Sequence, residues 1–356
     1  AAEDIAQGHL ENEVPVSRLN EIGRLAQQMD VMRRSLKKLI DDLEAFGSPV
    51  ILFSGGEPLL RKDLLELAQY ARDKGMRAVI STNGTLITKD IAARLQKVGL
   101  SYVGVSLDGI EKTHDRFRGK KGAFAAAIEG IRNCREAGIK VGIRFTVNKH
   151  NLADVKEMFQ LLRKEKIERL CFYHLVYTGR GSKLREEDLT HKETRALIDL
   201  IAAETKKMFD EGLSPEILTV DNHADGPYLY LKTKKENPER AKEILELLEM
   251  NEGNSSGVGI GCVSWDGEVY PDQFWRNQSL GNIRKKPFSE IWTDEKNEFL
   301  MKMKDKKKHV QGRCAGCLWL NVCAGNFRAR AESEGDLWGS DPACYLTDEE
   351  IERKGE

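Results

Sequence analysis

The sequence lacks an excess of charge of either sign: 56 Lys+Arg stand against 57 Asp+Glu, a formal net charge of −1 over 356 residues. A nucleic-acid binder held by bulk positive charge is therefore excluded. No apolar run approaches the roughly 18 residues that span a bilayer, and no signal-peptide apolar core is present. The chain as given reads as soluble and cytoplasmic. Proline is scarce, at 9 residues beside 31 glycines; with 40% hydrophobic and 32% charged residues the composition is globular, with room for two or three domains. An initiator Met is also lacking. Ala1 opens in what reads as mid-helix, so a missing upstream segment is expected.

Cysteine is sparse in the first two thirds and dense afterwards. Of seven cysteines, Cys262, Cys314, Cys317, Cys323 and Cys344 fall after residue 260, as do all five tryptophans, which places a domain boundary near 250. An odd count without a secretion signal argues against a disulfide framework and for metal binding by the clustered set.

Three segments follow, 1–46, 47–250 and 251–356. In the first, Ile22, Leu25, Met29, Met32, Leu36, Leu39 and Leu43 step alternately by 3 and 4, a heptad seam that wants a partner: a second helix or the next domain. With a short helical stretch, a connector containing Pro15 and a second heptad helix opening at Glu21, the segment resembles the second half of a HAMP module. A homodimer through the heptads is expected, membrane-proximal if a membrane helix lies upstream.

The second segment alternates apolar strands (Val50–Phe53, Ala78–Ser81, Tyr102–Ser106, Val141–Val147, Leu170–Val176) with helices near 60–74, 88–98, 122–137, 151–165 and 192–211. A helix in each gap predicts right-handed βαβ units and a parallel α/β sheet, open or barrel-like, with the site at the C-terminal strand ends. Lys232–Glu249 reads as a surface helix or linker. In the third segment a hairpin (Val258–Val263, a turn at Asp266-Gly267, Glu268–Tyr270) precedes the cysteines.

Cys314-x2-Cys317-x5-Cys323 with Cys344 offers four thiolates, suited to tetrahedral zinc or a 4Fe-4S cluster; spacing does not choose. Cys262 is either a fifth ligand or a packed thiol, and Cys134 and Cys171 read as core. Each of three successive strands ends in small or polar residues: Ser54-Gly55-Gly56-Glu57-Pro58, Ser81-Thr82-Asn83-Gly84-Thr85 and Ser106-Leu107-Asp108-Gly109. Singly each could be an ordinary βα turn. Three in register point to one shared site.

Together with the cysteine pattern, these motifs resemble a radical S-adenosylmethionine (radical SAM) enzyme with a SPASM-type auxiliary-cluster domain. Tyr173–Gly181, Thr219–Gly226, Pro271–Trp275 and Gly325–Arg328 further resemble the porphyrin-modifying branch, which includes 12,18-didecarboxysiroheme deacetylase and the heme d1 biosynthesis enzyme. The resemblance covers about 38–350. It implies a partial (β/α)6 TIM-like barrel lacking its first strand, a small SPASM/twitch domain, and S-adenosylmethionine held by Gly55, Gly56, Glu57 and Pro58, with Ser81, Asn83, Ser106, Asp108 and Arg144 lining its ribose and carboxylate. It implies one auxiliary 4Fe-4S cluster on Cys314, Cys317, Cys323 and Cys344. Phe327 stands where a further Cys often does, which puts a second all-cysteine auxiliary cluster in doubt.

The same resemblance implies removal of acetate side chains from a siroheme-derived iron porphyrin, driven by a 5′-deoxyadenosyl radical and fed by a reductant such as a ferredoxin or flavodoxin. The rivals are the heme d1 branch, acting on propionates, and a HAMP-dimerised sensor or scaffold. A carboxylate-rich substrate calls for positive groups near the barrel mouth, Arg180, Lys183, Arg185 and Arg276, with ordinary surface charge as the competing reading; His174, at the C-terminal end of a strand, reads either as facing the porphyrin or ligating its iron, or as a packed core histidine. One departure is large. The family's catalytic 4Fe-4S cluster needs Cx3Cx2C, and that motif occurs nowhere in the sequence; HAMP-like heptads stand in its place, joining near 36–42. A truncated or chimeric chain, inactive as given, is the expectation.

Overall fold

The computed structural model describes residues 21–352; Ala1–Asn20, the side chains of 21–32 and the last four residues lie outside the described residues, and with them the first four heptad positions. Six strands form one parallel sheet in chain order: β1 (Val50–Phe53), β2 (Arg77–Thr82), β3 (Tyr102–Ser106), β4 (Val141–Thr146), β5 (Arg169–Tyr173) and β6 (Glu216–Val220). This is the expected α/β sheet, with β6 an addition. The chain divides into two compact units, one of residues up to Leu107 with Lys120–Ile143 and Ile283–Glu290, the other of Asp108–Gly119, Arg144–Asn282 and Ile291 onward.

In the first unit, α1 is an unbroken 25-residue helix, Glu21–Ala45. Its Ile40, 2% exposed, packs with Leu36 and Leu43 against Leu67, Ala71 and Met76, and β1 contributes Ile51 and Phe53 to the same core. Burying a side chain the size of Ile40 contributes about 1.5–3 kcal/mol. Polar contacts fix the helix rotation: Asp41 Oδ1 accepts from Tyr70 Oη at 2.8 Å, Lys37 pairs with Glu66 at 2.6 Å, and Asp42 accepts from the Ser289 N–H at 2.9 Å. The seam positions Leu36 and Leu43 are thus spent inside the unit. Helix α2 (Leu64–Asp73) leads to β2, which pairs in parallel with β1 (Ile51 with Ala78) and with β3 (Ile80 with Val103). Helix α3 (Lys89–Val98) starts on Thr88, whose Oγ1 accepts from the Ile91 N–H, and stops at left-handed Gly99. Helix α4 (Lys112–Arg118) belongs to the second unit, α5 (Ala123–Glu136) to the first.

In the second unit, β5 and β6 pair in parallel, Cys171 opposite Leu218. Helices α6 (Val155–Glu165) and α7 (His191–Asp210) flank them, α7 opened by a Thr190/Glu193 capping box. The charged stretch expected as helix or linker is α8 (Asp225–Glu236) followed, after Asn237, by α9 (Pro238–Asn251). The hairpin is shorter than its sequence suggests: β7 is only Cys262–Val263, antiparallel to β8 (Glu268–Tyr270), with β9 (Gly281–Asn282) completing a small sheet. Residues 256–260 instead fold into tight turns around Ser255 O. Trp275, Phe327, Met303 and Tyr270 form the local core. Two arginines are fully buried within it. Arg328 donates to Leu337 O and Gly339 O, and Arg330 pairs with Asp341 at 3.0 Å with both side chains at 0% exposure.

Candidate functional site

The first unit ties two of its glycine-bearing loops together through one carboxylate. Glu57 Oε1 accepts from Thr82 Oγ1 at 2.7 Å and from the Leu59 N–H at 3.1 Å, while Oε2 accepts from the Asn83 N–H at 2.8 Å. Glu57 therefore fixes the Gly55–Pro58 loop onto the end of β2, and its spare lone pairs remain for a cation. Asn83 Oδ1 accepts from the Thr85 N–H and Oγ1, both at 2.8 Å. Gly84 has φ +76, and a Cβ on Gly130 of α5 would lie 2.2 Å from Gly84 O, so only glycine lets α5 approach this loop. Asn133 of α5 closes the contact by donating to Ile87 O at 2.8 Å. Gly55 and Gly56 are exposed; Ser81 and Ser106 are half-buried.

In the second unit Asp108 is buried and engaged by Arg118 at 2.6 Å. Its N–H donates to His114 Nδ1 at 3.0 Å, and its carbonyl accepts from Asn151 Nδ2. Burial, and then the charge of Arg118, hold His114 down at about 4, so the ring stays a neutral acceptor. Sequence reasoning missed these partners, because nothing local marks 114, 118 or 151 as facing 108. Arg144 lies over the Tyr173 ring at 4.5 Å. His174, just past β5, puts Nε2 at 2.9 Å from Asp225 Oδ2, and Tyr345 Oη donates to Asp225 Oδ1 at 2.7 Å. Asp225 and Tyr345 were also unforeseen; the former lies 51 residues from its partner. Arg276 rests over Trp265 and Tyr270 and adjoins Cys262, whose thiol is pushed up by burial. The side chain of Arg180 lies outside the described residues, Arg185 is ion-paired to Glu334, and Lys183 is exposed.

Cys314, Cys317, Cys323 and Cys344 come into electrostatic contact. Cys323 is pushed well above its usual value by burial first, then by the charges of Cys344, Cys314 and Cys317. Cys344 is pushed up to about 11, again chiefly by burial. The Trp319 N–H donates to Cys317 Sγ at 3.4 Å and Arg313 to Cys344 Sγ at 3.9 Å. Thiols with N–H donors aimed at two of the sulfurs are the donor type that an iron-sulfur centre takes. Among the described residues no three such ligands are gathered closely enough to hold a metal ion as they stand. A cavity of about 890 Å³ opens beside Cys344, lined among others by His191, Arg195, Arg313 and Tyr345. Cys134 is pushed up to about 12 by burial alone, as a core thiol should be. Among the described residues no helix is long and apolar enough to cross a membrane.

Three segments of the chain match known families. The radical SAM superfamily model matches residues 27–178, the SPASM iron-sulfur cluster-binding domain 259–318 and the HAMP domain 1–38. The chain is 64% identical to Fe-coproporphyrin III synthase of Methanosarcina barkeri, over 88% of this chain and 80% of that one. It is 40% identical to pre-heme d1 synthase of Dinoroseobacter shibae, over 87% and 78%, and 33% identical to AdoMet-dependent heme synthase of M. barkeri, over 86% and 85%. Among solved structures the fold is similar to that of SuiB from Streptococcus suis bound to S-adenosylmethionine (TM-score 0.69, 18% identical, 88% of this chain and 70% of that one). It is also similar to native anSMEcpe with bound AdoMet (TM-score 0.66, 21% identical, 87% and 84%). The three domain matches and the extent of these identities lead to one conclusion: the chain belongs to the radical SAM superfamily, within its SPASM-bearing heme-biosynthesis branch.

Proposed function

We propose that the protein acts in iron-porphyrin maturation, removing acetate side chains from a siroheme-derived iron porphyrin to give an Fe-coproporphyrin III-type product. The observation that carries this reading is the 64% identity to a protein named Fe-coproporphyrin III synthase across 88% of the chain. A second reading, the heme d1 branch acting on propionates, draws on the 40% identity to pre-heme d1 synthase, and the gap between the two identities ranks it below the first.

The residue roles are those that the family resemblance implies. Gly55, Gly56, Glu57 and Pro58 hold the ammonium end of S-adenosylmethionine, with the Glu57 clamp fixing the loop before the ligand arrives. Ser81, Asn83, Ser106, Asp108 and Arg144 serve its ribose and carboxylate. Cys314, Cys317, Cys323 and Cys344 hold one auxiliary 4Fe-4S cluster, with Cys262 as a further thiol at the hairpin. Arg180 and Arg276 supply positive charge to a substrate rich in carboxylates, and His174 faces the porphyrin or ligates its iron. A ferredoxin or flavodoxin is the reductant, and a homodimer through the N-terminal heptads would draw on seam positions other than the docked Leu36 and Leu43.

In this family a catalytic 4Fe-4S cluster with one open iron supplies the electron that splits S-adenosylmethionine. The 356 residues contain no Cx3Cx2C, so the thiols present do not fit that cluster. The chain as given is expected to form no 5′-deoxyadenosine. Anaerobic reconstitution tests the assignment: about four irons per chain are expected, lost in Cys317→Ala. A preparation holding zinc alone, without charge-transfer absorption, would overturn it.

A further inference from the structure

The chain carries almost no net charge, yet one segment of it is strongly basic. Between residues 302 and 313 stand Lys302, Lys304, Lys306, Lys307, Lys308 and Arg313 against Asp305 alone, six positive groups to one negative in a chain whose total is −1. Two of these lysines are spent inside the second unit. Lys304 Nζ donates to Trp292 O at 2.6 Å, and buried Lys306 donates to Ser256 O at 2.9 Å. The others lie at the surface: Lys302, Lys308 and Arg313 are exposed and Lys307 is half-buried. Lys308 pairs with Asp305 at 2.6 Å and Arg313 with Asp348 at 2.8 Å, exposed pairs of the kind that water readily loosens.

The basic segment is fastened to the cysteine loop. Lys307 Nζ donates to Asn321 O at 3.1 Å, between Cys317 and Cys323, and Arg313 directly precedes Cys314 and reaches Cys344 Sγ at 3.9 Å. Val310 packs so close to Gly325 that a Cβ there would lie 2.7 Å from its Cγ1, and the Gln311 N–H donates to Trp338 O at 2.7 Å. Cys314 and Cys317 are half-buried and bracket exposed Ala315 and Gly316, and Leu318 follows at 36% exposure. A thiol-bearing tip with an apolar contact point thus stands at the surface, flanked by lysine and arginine. Fixed positive charge around such a point speeds the arrival of a negatively charged partner and sets its orientation.

The kind of partner follows from what accompanies the charge. A single-stranded nucleic acid wants exposed aromatic faces, and the exposed large apolar side chains of residues 301–318 are Met301 and Leu318. A lipid surface wants one long amphipathic helix, whereas these lysines sit on the seven-residue helix Glu298–Lys304 and a single turn, Lys306–Lys308. We propose that Lys302, Lys307, Lys308 and Arg313 form the docking surface for an acidic one-electron carrier protein. The carrier is oxidised by one electron there as the cluster on Cys314, Cys317, Cys323 and Cys344 is reduced by one. This rests on the reading that those thiols hold an iron-sulfur cluster.

The test uses two acidic carriers, a plant-type 2Fe-2S ferredoxin and a flavodoxin. Their binding to the cluster-loaded chain is measured by calorimetry, and reduction of the cluster by each pre-reduced carrier by stopped-flow absorbance. Affinity and second-order rate should both fall as salt rises from about 0.01 M to about 0.1 M, where the screening length shortens from about 30 Å to about 10 Å. Lys302→Glu with Lys308→Glu should lower both about tenfold or more at low salt, whereas Lys164→Glu with Lys206→Glu, an equal charge change on α6 and α7, should leave them within about twofold. Reduced methyl viologen, a small cation, should reduce the first variant no more slowly than the wild type, and iron content and circular dichroism check the fold of each variant. Failure of the wild type to bind either carrier, rates indifferent to the Lys302 and Lys308 substitutions, or equal slowing by both pairs of substitutions overturns the proposal. So does binding to anionic lipid vesicles or single-stranded DNA that depends on Lys302 and Lys308 while carrier binding does not. A chain without iron that still binds the carriers with this salt dependence leaves the docking surface standing and overturns the cluster reading.

Discussion

Arg330→Met removes the most deeply committed charge in the second unit. Arg330 and Asp341 are both at 0% exposure and 3.0 Å apart, so deleting the guanidinium strands a carboxylate in the interior, which costs about 3–5 kcal/mol. Leu175 O and Asp221 O lose their donors as well, each worth about 1 kcal/mol or more when left unpaired. Asp341 keeps the Phe327 and Ala343 N–H donors, and a methionine preserves the apolar stem beside Phe327, so the total should fall at about 4–6 kcal/mol. That is a large part of the 5–15 kcal/mol of a typical domain. Urea unfolding of the cluster-loaded protein, monitored by circular dichroism under anaerobic conditions, reads the loss. Adding Asp341→Asn should recover part of it, because the stranded charge is then gone. A loss under about 1 kcal/mol for the single variant would refute the reasoning, since it would mean that the pair is hydrated or its geometry different.

Gly130→Ala should destabilise the protein by about 1–3 kcal/mol and weaken S-adenosylmethionine binding, because its Cβ would press on Gly84 O; unchanged thermal unfolding and unchanged ligand affinity by calorimetry would count against that contact. His114 is held at about 4 when folded and titrates near 6.5 when unfolded, so between those values the unfolded state binds more protons. Stability should therefore fall by about 2 kcal/mol as pH drops from 6.5 to 4, and His114→Gln should flatten that part of the profile in urea titrations. Leu36→Lys should lower the melting temperature even of a monomeric preparation, because Leu36 packs beside Ile40 and Leu67; an effect on sedimentation alone would return Leu36 to the intermolecular seam.

What could be read from the sequence were the features whose cause is local. Val50–Phe53 and Tyr102–Ser106 are apolar β-branched runs ending in glycine or polar loops, and the structure keeps both boundaries. The cysteine spacing placed the sequence's thiols in one region, but among the described residues no three of them stand close enough to hold a metal ion. Features built by distant pairing were not legible. Strand β6 escaped because only Ile217, Leu218 and Val220 are apolar in it and none of its residues is fully buried. Nothing local marks Arg328 and Arg330 as buried, since arginine is ordinarily exposed; carbonyls of 325, 337 and 339 and Asp341 surround them. The heptad seam was ambiguous for a geometric reason: over three heptads a 3.5 and a 3.6 period differ too little to distinguish a dimer stripe from a helix docked on its own domain, and Leu36 and Leu43 prove to be docked.

The proposed function, acetate removal from an iron porphyrin on a scaffold to which only the catalytic-cluster thiolates need be added, has one direct test. Replacing residues 1–37 with a strand and Cx3Cx2C loop, then supplying S-adenosylmethionine, dithionite and 12,18-didecarboxysiroheme, tests it by mass spectrometry of the porphyrin. Successive losses of acetate side chains, with 5′-deoxyadenosine formed by the grafted chain and none by the original, is the predicted result. Loss of carbon dioxide from propionates, an unaltered porphyrin despite 5′-deoxyadenosine, or cleavage of S-adenosylmethionine by the original chain would contradict it.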